Sequence, residues 1–148
     1  MSSLSLSLAG RRALVTGSSQ GIGLAIAEAL AAQGASVILN GRDSVKLNQV
    51  AWELANRYPT VSAQCFDVTD AAAVAQAATD IGAVDILVNN AGIHRRAPLI
   101  EMTKSDWDLV LSTNLTSAFL VGQAFARPMI AAKSGKIINI CSLMSDLA

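Results

Sequence analysis

The run Thr16-Gly17-Ser18-Ser19-Gln20-Gly21-Ile22-Gly23 stands directly behind the apolar stretch Ala13-Leu14-Val15 and opens a helical pattern. Three spaced glycines between a strand and a helix suit the gripping of a pyrophosphate. Gly17 lets the chain turn sharply off the strand, Gly21 lets the backbone approach the phosphates, and Gly23 permits close packing of helix on strand. Phosphates held there meet unpaired N–H groups and the positive end of a helix dipole. The bland alternative is a glycine turn that only joins the two elements. The strand in front and the helix behind favour the dinucleotide site.

A repeating unit of strand and helix has to position this loop. Residues 12–16 form a first strand, and residues 21–33 a helix with Ile22, Ile26 and Leu30 at helical spacing, ended by Gly34. Residues 36–40 are a second strand, followed by a helix over 44–58 that Pro59 stops. Residues 61–66 are a third strand, and residues 70–81 an alanine-rich helix with Thr69 or Asp70 as its N-cap. A fourth strand covers 85–89. Thr103 and Asp106 make a capping box before a long helical region reaching 132, in one piece or two, and a fifth strand covers 136–141. Apolar strands alternating with helices imply an α/β fold: a Rossmann-type, doubly wound parallel sheet of about five strands with helices on both faces. Ligands of such a sheet bind at the carboxyl ends of its strands.

Composition fits a single domain over residues 1–148, with 52% hydrophobic and 15% charged residues. Lysine plus arginine equal aspartate plus glutamate at 11 each, so no overall field draws nucleic acid or a membrane. Residues 1–8 read as a loose tail, with Leu6 and Leu8 tucked against the domain, and without a targeting signal. No uninterrupted apolar run approaches a membrane span. Cys65 and Cys141 end apolar runs and read as buried thiols, and the single histidine, His94, excludes a metal cluster.

The polar residues gather at the expected strand ends: the glycine loop, Asn40-Gly41-Arg42, Asp67-Val68, Asn89-Asn90-Ala91-Gly92 and Ser142. Gly41 stands where NAD enzymes place an acidic residue for the ribose 2′-hydroxyl, and Arg42 follows. A guanidinium there can stack on adenine and pair with a 2′-phosphate, which favours NADP and leaves NAD possible. Arg42 also reads as a solvated turn arginine. Asp67 also reads as a turn aspartate ahead of a cap, Asn114 as the cap of a second helical piece, and Ser142 as a strand cap with Ser145 as a nearby competitor. Arg95 and Arg96 follow the fourth strand, and one of them is expected to face inward, where its fork suits a carboxylate. The other reading is a solvated pair or an oligomer contact.

The glycine run, Asn89-Asn90-Ala91-Gly92, Asn114 and Ile137-Ile138-Asn139-Ile140-Cys141-Ser142 together resemble the short-chain dehydrogenase/reductase family from Leu8 onward. Asn90 to Arg96 and Ile138 to Ser142 resemble its gluconate 5-dehydrogenase-like members. The resemblance implies cofactor contacts from Gly17, Ser19, Gly21, Ile22, Gly23 and Arg42. It implies that Asp67 holds the adenine amine, with Val68 against the ring and Asn90 and Gly92 beside the ribose. Ser142 then hydrogen-bonds the substrate oxygen, and the Asn114 backbone carbonyl holds a water of the family's proton relay. The family's acid/base is the tyrosine of a Tyr-x-x-x-Lys motif. Six residues follow Ser142 and none is tyrosine or lysine; the sole tyrosine, Tyr58, ends the second helix.

The 148 residues are therefore expected to be the N-terminal part of the fold and inactive alone, whether as a fragment or a natural truncation. A bare fifth-strand edge favours the fragment. The function implied is NADP(H)-dependent hydride transfer to or from a small-molecule carbonyl or polyol, with gluconate and 5-ketogluconate the pair suggested. A cytoplasmic enzyme, homo-oligomeric in its full-length form, is expected. The other readings are a non-catalytic nucleotide-binding module and, from the glycine loop alone, a methyltransferase.

Overall fold

The computed structural model describes residues 7–142; Leu6 and Ser145 lie outside them. Five parallel strands form one sheet in the order β3-β2-β1-β4-β5. They are β1 (Arg12–Val15), β2 (Ser36–Gly41), β3 (Ser62–Cys65), β4 (Ile86–Asn89) and β5 (Lys136–Asn139). The helices are α1 (Gly21–Ala32), α2 (Ser44–Ala55), α3 (Ala71–Ile81), α4 (Lys104–Leu111) and α5 (Ser117–Ala131), with a π-helical turn at Ser112–Thr116 joining the last two.

Alternation along the central strands builds two cores. Ala13, Val15, Val37, Leu39, Ile86 and Val88 face α1 and α2, where they meet Ala27, Ala31, Leu47 and Leu54. Leu14, Ile38 and Leu87 face the opposite side and meet Val74, Ala77 and Ile81 of α3 and Val121, Phe125 and Met129 of α5. Each buried Leu or Phe contributes about 1.5–3 kcal/mol. The expected doubly wound sheet is present, its strand order reversing between β1 and β4.

Three expectations need correction. In α1 the buried residues are Gly23, Ala27 and Ala31, while Ile22 is 68% exposed. A row of small residues lets α1 lie close to the sheet, and Ile22 is left on the rim. Helix α2 ends at Ala55, before Tyr58. Both cysteines are exposed, because Cys65 lies on the edge strand β3 and Cys141 just past β5, all four of whose residues are exposed. Leu8 is tucked against the domain as expected: its N–H donates to the Gln33 carbonyl at 2.7 Å, and its side chain packs on the first core.

The helical stretch Lys104–Ala131 is, by length and composition alone, long and apolar enough to cross a membrane. No single apolar run in the sequence indicated this. In the fold it lies against the sheet through Val121, Phe125 and Met129.

One residue, Asp85, ties the amino ends of three strands through its carboxylate and its backbone. Asp85 Oδ2 accepts from the Arg12 N–H at 2.9 Å and Oδ1 from the Arg11 guanidinium at 2.8 Å. The Asp85 N–H donates to the Arg12 carbonyl, and its own carbonyl accepts from the Lys136 N–H of β5. The Arg12 N–H, then Arg11, hold the Asp85 carboxyl below its usual value of 3.8. A depressed carboxylate adds stability above its unfolded-state pKa, and that share is lost as pH falls through the folded value. Asp85→Asn should therefore unfold more readily in urea at pH 7, with the difference from wild type shrinking below about pH 4. A constant difference across that range would show that the charge of Asp85 is irrelevant.

Candidate functional site

The carboxyl rim of the sheet carries a cleft of about 420 Å³ lined by the glycine loop, Asn40, Gly41, Arg42, Phe66, Val68, Asn90 to Ile93 and Thr113. Of the residues singled out in the sequence, Gly17, Ser19, Gly21, Ile22, Gly23, Arg42, Val68, Asn90 and Gly92 line it.

The glycines shape this cleft. Gly17 turns at φ +62, and a Cβ there would lie 2.8 Å from the Ala91 Cα. At Gly23 a Cβ would meet Asn90 Nδ2 at 2.3 Å and the Gly17 carbonyl at 2.6 Å. Gly23 thus makes room for the neighbouring loops rather than for the strand. Gly21 also has positive φ, but the space beside it is open. Gln20 caps α1 with extended backbone and no side-chain hydrogen bond to the helix. The first turn of α1 therefore faces the cleft with its dipole unneutralised by a capping side chain, the arrangement that receives a phosphate.

Buried polar side chains hold the loops in this shape. Thr16 Oγ1 accepts from the N–H groups of Asn90 and Ala91, both at 3.0 Å. Asn90 Nδ2 donates to the carbonyls of Thr16 and Gly17. Asn40, only 1% exposed, accepts from the Gly17 N–H through Oδ1 and donates through Nδ2 to the Gln64 and Phe66 carbonyls. Ser18 Oγ accepts from the Asn40 N–H and donates to the Val15 carbonyl. The carboxyl ends of β1, β2, β3 and β4 are thereby fastened together. Thr16, Ser18 and Asn40 were named in the sequence only as members of their runs, without a role; polar residues ending apolar strands beside glycine were the available signal.

At the end of β3 the chain places Phe66 and Val68 on the cleft, while Asp67 is not among its lining residues. Asp67 Oδ1 accepts from both the N–H (2.8 Å) and the hydroxyl (2.7 Å) of Thr69. These bonds lower the Asp67 pKa against the opposing effect of burial, with a lesser lowering from the charge of Arg42. The turn reading of Asp67 is therefore real, and any adenine contact falls to its second oxygen.

Asn114 lies in the π-helical turn. Its side chain pairs with both backbone groups of one residue, accepting from the Ile93 N–H at 2.8 Å and donating to the Ile93 carbonyl at 2.9 Å. It is not the cap of a second helix, since the helix widens without breaking and Thr116 precedes α5. Ser142 is exposed, just beyond Ile140, whose N–H bonds to the Asn89 carbonyl of β4. Arg95 and Arg96 lie outside the cleft, both exposed. Arg95 forms an ion pair with Asp106 of α4 at 3.6 Å, and Arg96 Nε donates to His94 Nε2. Among the described residues no group of side chains can hold a metal.

The sequence profile of the short chain dehydrogenase family matches residues 11–148. Gluconate 5-dehydrogenase of Gluconobacter oxydans is 51% identical over 146 residues, covering 96% of this chain and 57% of that protein. The 5-keto-D-gluconate 5-reductase of Escherichia coli K12 is 43% identical over 145 residues, 95% of this chain and 57% of that protein. The chain thus spans a little over half the length of these relatives. The crystal structure of a gluconate 5-dehydrogenase from Burkholderia cenocepacia in complex with NADP and tartrate superposes with a TM-score of 0.90. It is 46% identical, and the match covers 96% of this chain and 57% of that one. These matches set aside the methyltransferase reading.

Two glycine substitutions separate shape from ligand approach. Gly23→Ala should destabilise the protein by about 1–3 kcal/mol, because the backbone and Asn90 must move. Gly21→Ala should cost only about 1 kcal/mol of αL strain, yet weaken nucleotide binding sharply. Denaturant unfolding alongside cofactor titration checks both. Normal nucleotide binding by Gly21→Ala would mean that the loop is only a turn.

Proposed function

The chain belongs to the short chain dehydrogenase family, and from that we propose NADP(H)-dependent hydride transfer between the cofactor and a sugar acid, gluconate or 5-ketogluconate. The observation that carries this is the cleft at the carboxyl rim, where a glycine turn, an α1 terminus without a side-chain cap and Arg42 converge. In this reading Gly17, Ser19, Gly21, Ile22 and Gly23 hold the pyrophosphate, Arg42 the 2′-phosphate, Val68 and Asp67 the adenine, and Asn90 and Gly92 the ribose. The bound cofactor supplies or accepts the hydride, and the protein's part is to orient it and stabilise charge. Ser142 hydrogen-bonds the reacting oxygen and steadies the charge that develops on it. Asn114, paired to Ile93, fixes the loop that follows β4 and offers its own carbonyl to the proton relay.

Ser142 alone does not move a proton. The family's tyrosine and lysine are not among residues 143–148, so the 148 residues by themselves should bind cofactor without turnover. Of the two arginines, Arg96 suits a substrate carboxylate, because Arg95 is paired with Asp106. The enzyme acts as a homo-oligomer. Supporting this is a row of exposed apolar residues at every fourth position across the π turn: Trp107, Leu111, Leu115 and Phe119.

Steady-state kinetics of the full-length enzyme test the substrate. Gluconate and 5-ketogluconate should be turned over with NADP(H), and Arg96→Ala should raise KM for them about tenfold, as for one lost charge-assisted contact. A neutral polyol of similar size should be far less affected. Equal effects on charged and neutral substrates would remove the carboxylate assignment.

A further inference from the structure

We propose that Lys46 is a second specificity residue for NADP(H), placing its ammonium group against the 2′-phosphate from the side of the cleft opposite Arg42. The proposal rests on the NADP(H) reading above and adds a residue that the strand-end pattern did not indicate.

The cleft mouth at the end of β2 is narrow. A Cβ on Gly41 would lie 3.4 Å from both Cβ and Oγ of Ser19, so the glycine loop and the β2 turn touch there. The adenosine ribose of a dinucleotide lies at this strand end. Arg42 stands on the β3 side, near enough to Asp67 for its charge to help keep that carboxylate ionised. Lys46, in the first turn of α2, reaches the other way. Its Nζ donates to Oε1 of Gln20, a cleft-lining residue of the glycine loop. Arg42 lines the cleft, and Lys46, outside its lining, reaches the glycine loop through Gln20.

Asp67 lies within electrostatic reach of Arg42 but makes no ion pair with it. Asp43, the adjacent carboxylate, accepts from the Lys46 backbone N–H at 3.0 Å as the N-cap of α2. Among the described residues neither Arg42 nor Lys46 forms an ion pair. An ammonium carries three donors. One of them is on Gln20, and the others remain for phosphate oxygens. Gln20, whose side chain does not cap α1, thus holds the lysine head over the loop. A compact ammonium on one side and a planar guanidinium on the other divide the work: Arg42 fixes geometry, and Lys46 adds charge.

The test is calorimetric titration of NADPH, NADH and 2′,5′-ADP into wild type, Lys46→Met, Lys46→Arg and Arg42→Ala. Lys46→Met should weaken NADPH and 2′,5′-ADP by about five- to tenfold, between the effect of an exposed ion pair and that of a charge-assisted hydrogen bond. NADH should change by less than about twofold, as no charge is met at its 2′-hydroxyl. Lys46→Arg should keep most of the affinity for NADPH. The salt dependence of NADPH binding should flatten in Lys46→Met. Equal weakening of NADPH and NADH would overturn the proposal, because Lys46 would then only brace the glycine loop through Gln20. So would an unchanged NADPH affinity in Lys46→Met beside a strong loss in Arg42→Ala, which leaves the NADP(H) reading standing. A wild-type protein that binds NADPH no better than NADH would overturn that reading itself.

Discussion

Backbone N–H and C=O groups that leave a parallel sheet at its carboxyl edge lose their ladder partners, and each one buried unpaired costs about 1–3 kcal/mol. Much of the rim in this protein follows from that constraint. Thr16, Ser18, Asn40 and Asn90 take up these groups from their own and neighbouring strands. Their short side chains draw the loops so close that Gly17 and Gly23 leave no space for a Cβ. The first turn of α1 also carries no side-chain cap. Satisfying the backbone therefore shapes the cleft proposed to hold the phosphates, with positive φ at Gly17 and Gly21.

The two ends of the sheet divide the labour. At the amino end Asp85 gathers β1, β4 and β5, and beside it lies a cleft of about 610 Å³, larger than the one on the carboxyl rim. Size does not choose between them. The amino-end cleft is lined by Asp85 already paired with Arg11, by two lysines at a helix's negative end, and by apolar residues of α5 and β5. It has a glycine turn at Gly135, but no helix N-terminus is among its lining. The carboxyl rim has both, together with Arg42 and Lys46 at one end and Ser142 near the other.

The strands were legible because each is a short apolar run between turn residues, and the observed bounds differ from expectation by a residue or two. Caps such as Asp70 and Thr103 were legible because they act locally: each accepts from an N–H two or three residues on. What escaped the sequence depends on partners far along the chain. Asn40 binds groups 23 to 26 residues away, and Asn114 binds Ile93 across 21. In α1 only Ile22 was misread: Ile26 and Leu30 pack partly on the core, while the fully buried places went to glycine and alanine that allow close packing on the sheet. Cys65 was misread because its place on an edge strand is a property of strand order. The pairing of Arg95 with Asp106 likewise needed the fold, since the sequence did not distinguish the two arginines.

Amide chemical shifts of the ¹⁵N-labelled protein, followed while NADPH is added, test the central claim most directly. The account expects shifts concentrated at Gly17 to Gly23, Gly41, Arg42, Phe66 to Val68 and Asn90 to Gly92, saturating with a single affinity. Shifts centred instead on Lys133 to Ile137 at the opposite rim, or no shifts at millimolar NADPH, would contradict it.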